Sequence, residues 1–157
     1  MAVVAELVAL DHSMRVTIYS TDKQDWLRFQ RRNYEQFTEY SVTAHLSGEQ
    51  LTNDEVCIGR IDEFLHDLSL FEARRTGTAS LSGTEDFSVT VTPDGHSGHA
   101  WITFVLSKRL RTHSHQSGRL ADGVASIRGS FPVPGEFITQ MFHDFTQLFK
   151  NDISRAA

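Results

Sequence analysis

The spacing of apolar residues changes near the middle of this chain, and that change restricts the fold more than any other feature. From Ile58 onward apolar residues recur at i, i+3 and i+4, the pattern of an α-helix with one buried face. The segment Thr52–Asp54 can cap the start of such a helix, although Gly59 favours a later start, and Gly77 can end it. The predicted buried face contains Ile58, Ile61, Phe64, Leu65, Leu68 and Phe71.

On both sides of this helix the sequence alternates between apolar and polar residues, which is typical of β-strands. The first two predicted strands are separated by Asp11 and His12, so we expect the fold to open with a hairpin. The strand that begins at His99 is apolar on both faces and should be covered on both sides. The predicted strands are Val3–Leu10, Ser13–Ser20, Glu39–Leu46, Thr78–Ser82, Phe87–Thr92, His99–Ser107 and Val124–Phe131.

Two segments between the predicted strands show no clear period. Asp22–Thr38 is polar and aromatic, and we predict a loop or short helix in which Arg28, Arg31 and Arg32 are solvated. Leu110–Gly123 is polar and contains glycine, so we predict an irregular connection between two strands.

A second apolar stripe follows the breaking sequence PVPGEF and extends to Lys150. The order of elements is therefore three strands, a helix, four strands and a helix. This order predicts a single α+β domain over residues 1–157, with a mostly antiparallel sheet of about six to seven strands and two amphipathic helices packed on one side. The stripe consists of Phe137, Ile138, Met141, Phe142, Phe145, Leu148 and Phe149.

Charge and composition restrict the partners and the compartment. The net charge of −5 argues against a nucleic-acid partner, because nucleic-acid binders carry a concentrated positive surface. Cys57 is the sole cysteine and can form no internal disulfide, which favours a reducing compartment. The N-terminal residues show neither a basic leader nor a run of about 18 apolar residues. We therefore expect a cytoplasmic protein with no membrane partner, and a homodimer through strand edges is a further expectation.

Four histidines lie between Thr92 and the end of the segment RTHSH, and they raise the question of a metal site. His113 and His115 have the H-x-H spacing, but zinc requires three or four converging ligands, and neither HExxH nor CxxC is present. We interpret these histidines as polar residues of turns and strand ends, with His96 and His99 as candidates for partner binding. A metal-dependent enzyme that uses all four is the alternative.

No other motif predicts catalysis. The sequence has no glycine-rich phosphate loop and no nucleophile elbow, and Cys57 is interpreted as a small buried apolar residue. We therefore predict no catalytic residue, no metal and no cofactor.

Acidic residues are concentrated between the third strand and the first helix, while basic residues are concentrated near the sixth strand and the connection after it. An acidic helix surface can attract a basic partner and accelerate its association. We therefore predict a partner-binding surface here. The acidic residues are Glu49, Asp54, Glu55, Asp62, Glu63 and Asp67, and the basic residues are Lys108, Arg109, Arg111, Arg119 and Arg128.

A small-ligand-binding domain is the alternative from a different class. A curved sheet covered by phenylalanine-rich helices could enclose an apolar pocket. We expect such a pocket to be lined by Phe137, Phe142, Phe145 and Trp101.

The segments IDEFLHDLSLF, FSVTVTPDGHSGHAWITFVL and EFITQMFHDFTQLF follow one another in this chain. This layout resembles the WapI-like immunity proteins of bacterial polymorphic toxin systems and related uncharacterised bacterial domains. Gly98-His99 would match a "GH" that leads into an apolar strand, and Phe64-Leu65 would match the helix core. The resemblance covers about Ile61 to Phe149. It implies a non-enzymatic cytoplasmic protein that neutralises one cognate toxin by tight binding.

Overall fold

The structure is a computed structural model that describes residues 14–33, 37–95, 98–113 and 120–152, without the side chains of residues 111–122. The predicted strand Val3–Leu10 lies outside the described residues. The same is true of His96, His115 and Arg119.

The first sheet is a four-stranded antiparallel meander in which each strand pairs with the next one along the chain. Alternate residues of its strands are buried, because one face of this sheet packs on the core and the other faces solvent. Ser47 and Gly48 form the turn between the third and fourth strands, and both have positive φ values. The strands are β1 (Arg15–Tyr19), β2 (Trp26–Asn33), β3 (Thr38–Leu46) and β4 (Glu49–Val56).

The second sheet contains five antiparallel strands in chain order, with the first helix inserted after its short first strand. The prediction of an irregular connection over Leu110–Gly123 is wrong in part, because β8 and β9 continue to pair as far as His113 and Leu120. The pairing of these two long strands provides hydrogen-bond partners for the backbone of a polar segment that has no hydrophobic period. The strands are β5 (Ile58–Gly59), β6 (Ala79–Gly83), β7 (Ser88–Pro93), β8 (Ala100–His113) and β9 (Leu120–Val133).

Helix α1 (Ile61–Arg74) confirms most of the predicted helical stripe: it buries Phe64, Leu65, Leu68 and Phe71, whereas Ile58 lies in β5. The cap predicted at Thr52–Asp54 is wrong, because this segment lies within β4 and pairs with β3, and the helix begins later, as Gly59 favours. Strand pairing satisfies the backbone groups that a longer helix would have used. Arg60 precedes the helix and Arg75 follows it, both in the left-handed conformation.

The segment predicted as a solvated loop or short helix instead contains strand β2. Leu27, Phe29 and Arg31 occupy its inward positions, so Arg31 is buried and not solvated. The burial of Arg31 is tolerated because its guanidinium group has polar partners. It lies 2.9 Å from an Asp152 carboxylate oxygen and donates to the Leu148 carbonyl at 3.2 Å.

One hydrophobic core joins both sheets, α1 and the closing helix α2 (Ile138–Leu148), which follows a 3₁₀ turn at Gly135–Phe137. Phe145 lies at its centre and contacts Phe29 and Phe64 edge-to-face, with ring centroids 5.2 and 5.3 Å apart. The predicted α+β class with antiparallel strands is confirmed. The strands are divided between two sheets, which local periodicity did not indicate.

Candidate functional site

The solvent side of α1 carries three of the predicted acidic residues. Asp62, Glu63 and Asp67 are exposed, and they lie on the side of the helix opposite its buried stripe. His66 and Leu70 are exposed on the same side. At about 3.6 residues per turn, Leu70 falls within the arc that the other four residues span, one turn beyond His66 and Asp67 along the helix axis. We call these five residues the acidic helix face.

The carboxylates of the acidic helix face are poorly compensated by nearby cations. The closest ion pair joins Arg60 to Glu63 at 3.9 Å, and both side chains are exposed, so the pair contributes little. Asp62 and Asp67 form no ion pair within the part of the chain that the structure describes. Leu70 is 37% exposed and lies between Asp67, one turn before it, and the exposed Arg74, one turn after it.

The other predicted acids lie on β4 and not on the helix. Glu49 is exposed at the start of β4. Asp54 accepts a hydrogen bond from the Ser41 hydroxyl at 2.8 Å and, with Glu55, lines a small polar pocket. Lys108 and Arg109 line the same pocket. The tertiary structure therefore brings part of the acidic stretch against part of the basic stretch, whereas Asp62, Glu63 and Asp67 lie on the exposed side of α1, between Arg60 and Arg74.

Asn53 organises the polar pocket by joining the two sheets. Its side-chain amide is buried and donates to the Ser107 carbonyl at 2.9 Å and to a Glu85 carboxylate oxygen at 3.2 Å. Its carbonyl oxygen accepts from the Glu55 backbone N–H at 2.9 Å. Glu85 also accepts from the Arg109 backbone N–H at 3.3 Å. These bonds hold β4 against β8, so the pocket, of about 180 Å³, is a structural junction.

Among the residues that the structure describes, His99 makes a structural contact and joins no group of metal ligands. It is exposed just before β8, and its Nδ1 accepts a hydrogen bond from the Gly135 backbone N–H at 2.8 Å. His96, His115 and the side chain of His113 lie outside the described residues. Over residues 14–33, 37–95, 98–113 and 120–152, no three His, Cys, Asp or Glu side chains are arranged to hold a metal ion.

The prediction that Cys57 is a buried apolar residue is wrong, because this residue is exposed between β4 and β5. Partial desolvation of the sulfur raises the pKa of the Cys57 thiol, and the carboxylates of Glu39 and Glu55 raise it further. The thiolate is therefore disfavoured at neutral pH, and this environment does not activate a nucleophile.

An apolar groove lies between β1 and the stretch that contains α2, and sequence reasoning did not predict it. It encloses about 200 Å³, or about 700 Å³ with its open mouth. Phe137 is half exposed and forms part of its wall. Phe145 is buried in the core, and neither Trp101 nor Phe142 lines this groove. The two walls come from opposite ends of the chain, so no local pattern could have indicated the groove.

None of the helices in the described part of the chain combines the length and apolar character needed to cross a bilayer. No family model matches this chain, and no curated protein or solved structure is significantly similar to it.

Proposed function

We infer that this protein is a non-enzymatic binding protein whose acidic helix face holds a basic region of another protein. The observation that carries this proposal is the exposed side of α1, on which Asp62, Glu63 and Asp67 lie opposite the buried stripe and Leu70 is exposed one turn beyond Asp67. An exposed apolar side chain beside exposed charges suits an interface in which an apolar contact adjoins a charged rim.

The two parts of this surface would act at different stages of binding. Asp62 and Asp67 would raise the association rate of a basic partner, and this effect should weaken as salt increases. Leu70 would be desolvated in the complex and would slow dissociation. Because α1 is held by four buried side chains, it presents this surface on a rigid element.

The class of function that we propose is immunity: the protein would bind and neutralise one toxin in the bacterial cytoplasm. Support comes from the resemblance in layout to WapI-like immunity proteins, over Ile61 to Phe149. Toxin domains that attack nucleic acids tend to be basic, so an acidic inhibitor would be electrostatically complementary to them.

The small-ligand alternative has less geometric support. Of the four aromatic residues expected around a pocket, Phe137 lines the apolar groove, while Phe145 forms the core that both helices share. The groove is partly open to solvent, whereas sites for small ligands bury most of the ligand surface.

The proposal is tested with the toxin domain encoded beside this gene, by titration calorimetry and by growth of cells that express both proteins. We expect nanomolar or tighter binding and restored growth. The double variant Asp62→Lys/Asp67→Lys should weaken binding at least about 100-fold, because it replaces attraction by repulsion at two sites.

A matched control changes the net charge by the same amount elsewhere. Glu49→Lys/Glu136→Lys alters two exposed acids outside the acidic helix face and should change binding less than about threefold. Equal losses in both double variants would assign binding to overall charge and contradict a role for this face. Absence of binding to any toxin encoded nearby would contradict the immunity function.

A further inference from the structure

The polar pocket that Asn53 organises is lined by charges of both signs. Strand β4, the turn between β6 and β7, and strand β8 each contribute to its lining. Three carboxylates and two cations line it, together with the Asn53 amide, and no apolar residue does. The lining residues are Asn53, Asp54, Glu55, Glu85, Lys108 and Arg109.

Hydrogen bonds fix one acidic group of the polar pocket in place. Glu85 Oε2 accepts from the Asn53 side-chain amide at 3.2 Å and from the Arg109 backbone N–H at 3.3 Å. A single oxygen therefore carries both bonds, and Glu85 Oε1 forms no hydrogen bond with the residues that the structure describes. The Glu85 carboxylate is held rigidly and keeps one oxygen for a ligand.

The opposite charges of the polar pocket are not paired with one another. All of its lining residues are described, and no ion pair joins a carboxylate to a cation among them. Within the described part of the chain, the side chains of Glu55, Lys108 and Arg109 also form no hydrogen bond. Unpaired carboxylates and cations around one pocket leave space for a ligand that carries both signs of charge.

The charges of the polar pocket determine the kind of ligand that fits it. Three carboxylates and two cations give its lining a net charge of −1, so a ligand with two cations and one carboxylate is complementary. Arg109 can bind a carboxylate through two parallel N–H groups, and Lys108 adds a point charge. Ammonium groups donate up to about three hydrogen bonds each and suit the carboxylates.

We propose that the polar pocket binds a free α-amino acid with a cationic side chain, such as lysine. Lys108 and Arg109 hold its α-carboxylate, and the acidic side chains hold its two cationic groups. The pocket has a volume of about 180 Å³, the space of about six water molecules, which admits one small molecule. It lies on other elements than the acidic helix face and does not depend on the function proposed above.

Calorimetric titration of the full chain with lysine at low ionic strength tests the proposal. We expect saturable binding of one lysine, with a dissociation constant of about 1 mM or lower. Cadaverine lacks the carboxylate of lysine, and norleucine lacks its side-chain ammonium group. Each should bind at least about tenfold more weakly, because each leaves charged groups of the pocket without a partner.

Two variants that each remove one charge from the pocket assign the site. Glu55→Gln and Lys108→Met should each weaken lysine binding at least about tenfold. Their unfolding temperatures should stay within about 2 °C of the unmodified protein, because neither side chain bonds to described residues. The controls Glu136→Gln and Lys150→Met remove the same charges from exposed positions outside the pocket and should leave lysine binding within about twofold.

Three results would overturn the proposal. Cadaverine that binds as tightly as lysine would identify a general attraction of cations to an acidic protein. Equal effects of Lys108→Met and Lys150→Met would assign lysine binding to another part of the surface. Absence of saturable binding up to about 20 mM lysine, well above the expected dissociation constant, would show that water alone solvates these charges.

Discussion

Arg31 of β2 and Asp152, which follows α2, form an ion pair at 2.9 Å between side chains that are 5% and 13% exposed. Tyr40 of β3 donates its hydroxyl hydrogen to the other oxygen of the same carboxylate. Arg31 also donates to the Leu148 carbonyl, at the end of α2. The group of Arg31, Tyr40 and Asp152 therefore attaches the segment that follows α2 to the first sheet.

Removing one member of the ion pair should cost more than replacing both. Asp152→Ala leaves the Arg31 charge buried, and we expect the free energy of unfolding to fall by about 3–5 kcal/mol. Arg31→Met/Asp152→Leu removes both charges and should cost less than the single variant. Urea unfolding of the three proteins measures the difference, and a double variant that is less stable than Asp152→Ala would contradict this expectation.

Tyr40 should make the protein sensitive to alkaline pH. Burial raises the pKa of Tyr40 well above its ordinary value of 10.0, and the hydrogen bond to Asp152 raises it further. A raised pKa in the folded state means that its stabilising contribution is present below pH 10 and declines as the pH rises beyond it. We expect a loss of about 1.4 kcal/mol per pH unit above 10.

The variant Tyr40→Phe isolates that effect, because phenylalanine does not ionise. Its stability should change less between pH 8 and pH 11 (about one unit beyond the ordinary tyrosine pKa) than that of the unmodified protein. Tyr19→Phe, at an exposed tyrosine, is the control and should retain the full alkaline loss. Parallel pH profiles for Tyr40→Phe and the unmodified protein would contradict the assignment.

The turn between β6 and β7 should be stabilised by glycine at one of its two central positions. Glu85 and Asp86 have φ values of 57° and 61°, a region in which side chains cost energy and glycine does not. We expect Asp86→Gly to raise the free energy of unfolding by about 1 kcal/mol. Glu85→Gly relieves the same strain but removes the carboxylate that bonds to Asn53, so it should give no net gain. Thermal unfolding of both variants distinguishes them, and equal gains would contradict a role for the Glu85 carboxylate.

Gly83 and Gly59 should respond differently to alanine although they lie on adjacent strands. A Cβ at Gly83 would lie 2.5 Å from the Cys57 carbonyl oxygen, a backbone atom that cannot easily move. A Cβ at Gly59 would meet nothing within 4 Å. We expect Gly83→Ala to destabilise the fold by about 1–3 kcal/mol and Gly59→Ala to change it by less than about 0.5 kcal/mol. Denaturant unfolding measures both changes. An unchanged free energy of unfolding in Gly83→Ala would show that β5 and β6 separate more easily than their packing suggests.

The acidic helix face was partly accessible from the sequence. The helical period that places Phe64 and Leu68 in the core necessarily places Asp62 and Asp67 on the opposite side. Asp54 could not be assigned in the same way. The segment Thr52–Asp54 is also compatible with a helix cap. Only the pairing of β4 with β3 makes Asp54 a strand residue that contacts Ser41.

Arg31 shows why a local pattern misassigned β2. The alternation of Leu27, Phe29 and Arg31 is visible in the sequence, but an arginine at an inward position normally argues against burial. The carboxylate that makes its burial tolerable belongs to Asp152, 121 positions later in the chain. No window of neighbouring residues contains that information.

The amino-acid sequence by itself determined the two helical stripes, most of the strand alternation and the α+β class, because each depends on residues only a few positions apart. The division into two sheets, the buried Arg31–Asp152 pair and the groove between β1 and Phe137 were decided only by the tertiary structure. Each of these joins segments from distant parts of the chain. Their contacts can form and stabilise the fold only after the core has brought those segments together.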